Sequence, residues 1–402
     1  MSQILSHTYS LLDPELAVDP YPIYKKLRAE APIYWDEQSQ AWLVSRYTDV
    51  KALIGDPRIS SVPRPLEWES RRRLMEALAD IMQFSDPPTH THIRGLVESA
   101  YFPLFVKMRG RIQQLVNNLL DAVQESGRMD LISDLANPLP FTIITELIGY
   151  KVEDPKRFRK WFDSFARFAI VTSHSPTTEK EDRQILEDLL EMTDFFHAIV
   201  EQRRREPKDD LITALIQAEV NGKKLSTQGI LTNAIQLTAG GYIPMTSLLG
   251  HALLALLRHP DQMQKLQADP KLLDSAIEES LRYDSFVQWV TRRANTDIEL
   301  HGQLIRKDQI FQFGYGSANR DEAQFPNADR FDITRKDNNH LGFGFGPHTC
   351  VGALFTRLQM QIVVGTIMRR MRGMRLETNN IEFIGTPTFR IPTSLPVTFE
   401  PS

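Results

Sequence analysis

Ten residues near the end of this 402-residue chain restrict its fold more than any other stretch: Phe343-Gly344-Phe345-Gly346-Pro347-His348-Thr349-Cys350-Val351-Gly352. They contain its only cysteine. Gly342, Gly344 and Gly346 precede that cysteine and Gly352 follows it. Glycine enters backbone conformations closed to other residues and lets another group approach closely. From Val351 a helical pattern begins, with Val351, Leu354, Leu358, Ile362 and Val363 recurring at near-helical spacing through Met371. The thiol is therefore expected where a glycine-rich loop enters a helix, at the end whose N–H groups and dipole stabilise a thiolate. A thiolate held in this way suits a soft metal, and haem iron is one candidate. Taken without its flanks, a lone cysteine reads as a small buried apolar side chain.

The run Phe343, Gly346, Cys350, Gly352 resembles the phenylalanine-glycine-cysteine-glycine signature of the cytochrome P450 family. The resemblance implies a mainly α fold with small β-sheets. It implies one large domain over residues 1–402, with β-rich portions near both ends of a helical haem-binding core. It also implies haem b as cofactor, with Cys350 as the axial thiolate, His348 beside a haem propionate, Phe343 packed beside the sulfur and Gly352 closing the loop.

Composition sets outer limits. Hydrophobic residues make up 42%, enough for a large core. Forty-seven basic against 51 acidic residues leave a net charge of −4, which indicates no bulk attraction to nucleic acid. One cysteine makes no internal disulfide, which fits a reducing cytoplasm. Residues 1–14 carry no basic and apolar leader pattern, and no run of about 18 apolar residues predicts a membrane span. These features resemble the soluble, bacterial type of the family, expected to act as a monomer.

Along the chain, Tyr21 to Arg28 reads as a helix and Ile33–Trp35 with Ala41–Val44 as a hairpin. Tyr47 starts a short helix, and 56–83 reads as a loop with helical pieces. Pro87 and Pro88 precede a helix on which His90 and Arg94, four apart, share one face. That face reads either as a solvated basic surface or as an anion clamp. The resemblance implies the clamp, with both residues on the haem propionates. Helical patterns fill 104–126, 139–150, 154–172 and 182–205. The segment 173–178 reads as a polar loop, or by resemblance as a cap over the substrate cavity.

Ser226 is a suitable N-cap for a pattern running from Gln228 to Arg258, a span of roughly 45 Å. Gly240, Gly241 and Pro244 inside it are costly, at about 1 kcal/mol per glycine and about 3 for proline, and predict a kink. Glu279 and Arg282 stand three apart on the next helix, within side-chain reach. An exposed pair of this kind is worth little, but the resemblance implies a buried structural network completed by Asn319 to Phe331. Arg292 matches a third propionate-binding position. If 291–294 is a strand, Arg293 points the other way. Strands are also expected around 298–313, and from Phe389 to Phe399 about a turn at Pro392.

One departure bears on the chemistry. The resembled family carries an acid and then threonine in the middle of the long helix, where they deliver protons to oxygen. Here Gly240 and Gly241 occupy the glycine positions, but Ile243 and Pro244 replace the acid and the alcohol. Thr246 lies half a turn further on. Tyr242 has a hydroxyl, but its ordinary pKa near 10 suits donation poorly. The expected function is an O2-dependent haem-thiolate monooxygenase that oxidises a lipophilic small molecule, a secondary-metabolite intermediate, with protons organised by the substrate. Peroxide-driven, coupling or rearranging chemistry is the alternative, and a haem sensor or electron carrier a more distant one. By matched position the substrate cavity is expected to involve Leu237, Gly240, Gly241, Pro244, Phe286, Val287, Trp289, Ile391 and Pro392. A ferredoxin or flavodoxin is the expected electron donor, with Arg357 or Arg73 as contacts.

Overall fold

The computed structural model describes residues 9–13, 15–63, 69–150, 152–171, 178–385 and 388–401. All but Thr178 of the loop expected at 173–178, and most of the N-terminal 1–14 stretch, lie outside these residues. The chain forms two compact units: residues 1–59, 111–139 and 244–402 in the first, and 60–110 and 140–243 in the second.

The first unit holds the strands that the alternating segments predict, together with Arg128–Asp130, Arg375–Leu376 and Phe383–Gly385, which no alternation marked. Ile33–Asp36 and Ala41–Val44 pair antiparallel as a hairpin. Ile310–Gly314 joins Ala41–Val44 in parallel and Trp289–Ala294 antiparallel. This sheet packs on a core of Val44, Tyr47, Val50, Phe311, Phe313, Tyr315 and Phe325. Arg128–Asp130, Arg375–Leu376 and Pro396–Thr398 form a second sheet. A third, of two strands, pairs Phe383–Gly385 with Arg390–Pro392. Pro392 is therefore a strand residue and not the turn expected there. A two-stranded sheet leaves each strand one unpaired edge, where a residue without an N–H is tolerated. The helix Ala353–Arg370 is buried along most of its length.

The second unit is almost entirely helical. Its helices are Glu69–Ala77, Thr89–Lys107, Pro155–Val171, Glu179–Arg205 and Leu211–Gln217, with most of Pro138–Leu147. The pattern expected as one helix over 104–126 is two: the chain breaks at Met108, whose N–H closes the last turn on the Phe105 carbonyl, and restarts as Arg109–Gln124. Thr178 and Glu181 form a reciprocal capping box at the start of Glu179–Arg205. Inside the unit Arg203 pairs with Asp210 and donates to the Gly149 carbonyl at 2.7 Å.

One helix, Thr227–Arg258, belongs to both units, and the boundary falls between Ile243 and Pro244. Ser226 caps it, accepting from the Gly229 N–H at 2.9 Å. The assignment as a single helix holds: Pro244 lies inside it without ending it. Among the described residues it alone is long and apolar enough to cross a membrane, but 72% of that window is buried within the protein, as befits a core helix.

Candidate active site

The cysteine loop is built by short-range bonds. Gly344 and Gly346 adopt φ of +74° and +75°, which a side chain would strain. The Cys350 N–H donates to the Phe343 carbonyl at 2.8 Å, and the Thr349 hydroxyl to the Gly346 carbonyl at 2.8 Å. Gly352 is the N-cap of Ala353–Arg370, so the helix starts two residues later than its apolar pattern. Cys350 itself is exposed and His348 half-buried.

Seven residues beyond the cysteine, Arg357 lies over the Phe343 ring, 4.6 Å from its centroid. It donates to both oxygens of Glu278, at 2.7 and 2.8 Å, and His340 meets the same carboxylate at 3.1 Å. Burial pushes the Glu278 carboxyl up, but the Arg357 and His340 contacts outweigh it and bring it down to about 2. The Arg357 guanidinium is raised in turn, first by its bond to Glu278 and also by attraction to the Cys350 sulfur. A fixed cation thus favours the thiolate. It is committed to Glu278 and not directed outward, as its expected partner-docking role would need.

Glu279 and Arg282 form the buried network. Both are completely buried, with two bonds of 2.8 Å between them. Arg282 also donates to the carbonyls of Asn319, Ala328 and Arg330, and Arg335 and Asn338 reach the same carboxylate. Desolvation lowers the Arg282 pKa despite its partner, so this pair is a fixed structural joint.

Arg292 sits mid-strand opposite Phe311 and donates to the Thr291 carbonyl at 2.8 Å. Arg293 faces the other way and pairs with Asp308. Arg292 shares a neighbour with the cysteine loop: its charge acts on Tyr315, and a Cβ on Gly344 would stand 3.3 Å from the Tyr315 hydroxyl. In the second unit His90 and Arg94 occupy one face of Thr89–Lys107 as expected. His90 is 1% exposed, and Arg94 pairs with Glu98 at 2.7 Å. Upstream, Asp86 accepts from Ser60 and from the Ser61 N–H and so fastens the entry to this helix.

The middle of Thr227–Arg258 differs from the rest of that helix. Leu237, Ala239, Tyr242, Met245 and Thr246 are buried, whereas Gly240 is exposed and Gly241, Ile243 and Pro244 are half-buried. A Cβ on Gly240 would meet nothing within 4 Å, while one on Gly241 would lie 2.9 Å from Ile144. The open side of the helix at this point therefore carries no carboxylate and no hydroxyl. Tyr242, two residues from Gly240 and about 200° around the helix, points elsewhere. Its ring packs on Phe141 and Phe162, its hydroxyl accepts from Arg159 at 3.1 Å, and burial raises its pKa.

Of the other expected cavity residues, Phe286 is buried and stacked on Phe389 with centroids 4.7 Å apart. Val287 and Ile391 are half-buried. Trp289 belongs to the core: it is 1% exposed, and its indole N–H donates to the Tyr24 hydroxyl at 2.9 Å. Pro392 packs close to Gly250, where an added Cβ would stand 2.7 Å from its ring.

The donor set fits haem. An exposed thiol at the mouth of a helix, backed by a fixed arginine, is chemically suited to bind iron. Arg292, in the same unit, is of a type that pairs with carboxylates. The sequence reading missed the Arg357–Glu278–His340 cluster and Tyr315, because their roles depend on residues brought together from distant parts of the chain.

The family described as Cytochrome P450 matches residues 23–382. A Bacillus subtilis protein described as a cytochrome P450 is 36% identical over 393 residues, covering 95% of this chain and 94% of its own length. The polyketide biosynthesis cytochrome P450 PksS of the same species is 32% identical, covering 99% of each. Among solved structures, P450BioI in complex with an acyl carrier protein bearing hexadec-9Z-enoic acid superposes with a TM-score of 0.89 at 33% identity, over 96% of this chain and 100% of that one.

Proposed function

The chain belongs to the cytochrome P450 family, and from that premise we propose that it oxidises a lipophilic biosynthetic intermediate whose own polar group helps to organise the protons for oxygen activation. Members of the family are haem-dependent monooxygenases. The overall reaction takes a C–H bond, O2, two electrons and two protons to C–OH and water. Bound haem supplies the oxygen activation. On this reading Cys350 would hold the iron, Arg357 would favour the anionic form of that sulfur, and His90, Arg94, Arg292 and His348 would take the propionates. Glu279 and Arg282 would be structural, tying their helix to residues 319–338.

The observation that carries the reading is the open side of the long helix, where Ile243 and Pro244 stand and neither can pass a proton. Pro244 also lacks the N–H that would bond the Gly240 carbonyl, which leaves an acceptor for a water beside the open side. A hydroxyl or amine on the substrate would complete that water's bonding. Val287, Phe286 and Ile391, the residues this reading assigns to the substrate within the first unit, are all apolar. A relative that acts in polyketide biosynthesis supports an intermediate of that class.

The test is coupling. With the true substrate, product should match reductant consumed. An analogue lacking the polar group nearest the iron should bind similarly but divert reductant to peroxide, and an Ile243→Glu/Pro244→Thr double variant should reduce that loss. Well-coupled oxidation of several substrates with no polar group near the reacting carbon would overturn the proposal. So would turnover driven by peroxide at the same rate, or turnover without oxygen. Electrons would come from a ferredoxin or flavodoxin that docks near Cys350, where Phe345 and Leu354 are 42% and 57% exposed and Lys51 lies over the Phe345 ring. The protein would act as a cytoplasmic monomer with residues 1–402 as one domain.

A further inference from the structure

His251 lies on Thr227–Arg258 two turns beyond Pro244, is 2% exposed, and has no part in the chemistry above. Its Nδ1 faces Asp284 Oδ2 at 3.0 Å and its Nε2 faces the Arg390 carbonyl at 3.0 Å. Both partners are acceptors only. A neutral imidazole has one N–H and one lone pair, so it would satisfy one contact and set its lone pair against an oxygen in the other. Two hydrogen bonds require both N–H groups.

The surroundings are arranged for that charge. Asp284 also accepts from the Tyr21 hydroxyl at 2.6 Å and from Arg390 Nη1 at 2.7 Å. Burial pushes its carboxyl up, but Arg390 and His251 outweigh this and hold it well below the usual range. The Arg390 carbonyl takes a second bond, from the Ser247 hydroxyl at 2.8 Å, and Arg390 Nη2 donates to the Val18 carbonyl at 3.0 Å. The Phe383 ring stacks on the imidazole at 5.7 Å and lies under the Arg390 guanidinium at 4.3 Å. Asp19, Tyr21, Tyr24, Asp284, Arg320 and Arg390 are the charged and titratable groups around the cluster. Four segments meet here: the N-terminal helices, the second half of the long helix, the end of Leu273–Tyr283, and the strand Arg390–Pro392.

We propose that His251 is a positioning residue, an imidazolium bridging Asp284 and the Arg390 carbonyl, and that this bridge fixes the strand Arg390–Pro392 on the long helix. The strand is also held by its two-stranded pairing, the close Pro392–Gly250 contact, the Arg390 bonds to Asp284 and Val18, the Ser247 hydroxyl on the Arg390 carbonyl, the Val287–Phe389 bridge and the Arg390 N–H to Phe286 at 3.3 Å. The imidazole is thus one anchor among several, and the one that reaches both the carboxylate and the strand carbonyl from the long helix. An imidazole with a single N–H would leave one of the two bonds unmade and the strand less firmly held. The consequence for substrate choice rests on the reading of Ile391 as cavity wall.

The first test reads the protonation of the wild-type ring. In histidine-¹⁵N-labelled holoenzyme, reduced and carbon-monoxide-bound, both His251 ring nitrogens should show N–H shifts at pH 6–8, with the signal assigned by its loss in His251→Gln. One nitrogen in the unprotonated range would overturn the proposal. Hydrogen exchange of residues 388–395 is the second test. His251→Gln should exchange at least about tenfold faster there, the loss of one charge-assisted bond. If His251→Gln does not fold, His251→Asn takes its place in both measurements, and unchanged exchange there would equally overturn the bridge. Ligand affinity read by spin-state shift separates the two readings. A loosened strand with unchanged affinity supports the bridge and removes Ile391 from the cavity wall. Unchanged exchange in His251→Gln overturns the bridge whatever the ligand does.

Discussion

Cys350 shows how far residue types carry an argument and where spatial neighbours take over. The glycines, the helix start and the lone thiol are readable in ten consecutive residues. The charge that stabilises the thiolate is not, because Arg357 depends on Glu278, which lies 79 positions away. Replacing Cys350 with alanine should abolish the absorption band of the reduced carbon-monoxide complex that marks thiolate ligation; an unchanged spectrum would refute the assignment. Glu278 gives a pH signature. Its carboxyl is depressed from an ordinary 4.5 to about 2. Its contribution is therefore complete above pH 4.5 and disappears as pH falls toward 2. Linkage puts this at up to about 3 kcal/mol, less solvent screening. Urea melts of wild type and Glu278→Gln should differ at pH 7 and converge across that window, and a constant gap would count against the cluster. The propionate assignment is checked by Arg94→Ala/Arg292→Ala, which should release haem to apomyoglobin faster than wild type.

Among the elements, helix type and order were readable from apolar periodicity, and most strands from alternation. The failures have physical causes. A helix break at Met108 leaves no mark where both flanking helices carry the same period, and Pro392 signalled a turn because a strand edge can spare an N–H only if the sheet ends there. Trp289 matched a cavity position but is claimed by Tyr24, a partner 265 residues away. The long helix supports a paired prediction. Gly240→Ala adds a methyl to open space and should stabilise by roughly 0.5–1 kcal/mol through helix propensity. Gly250→Ala places its Cβ 2.7 Å from the Pro392 ring and 2.8 Å from Ile132. That should destabilise by about 1–3 kcal/mol. Thermal melts decide, and equal shifts for the two alanines would contradict the packing described.

For the whole molecule, the family and its fold were legible because four separated motifs, at 90–94, 279–282, 292 and 343–352, agree with one another. The substrate was not, because the side chains proposed to face it are of ordinary core types. Net charge is only −4, so attraction to an acidic electron donor must come from local cations such as Lys51. Reduction by a ferredoxin should slow as ionic strength rises from 0.05 to 0.5 M, about the range over which exposed charges are screened; salt-independent rates would argue for apolar docking through Phe345 and Leu354. The single cysteine has a practical corollary. With its one sulfur engaged by iron, the loaded protein should be invisible to maleimide dyes, and each molecule that sheds its prosthetic group should take up one dye and no more. Fluorescent stoichiometry then counts vacancies directly, and any cysteine engineered elsewhere becomes a uniquely addressable handle for as long as the pigment stays in place.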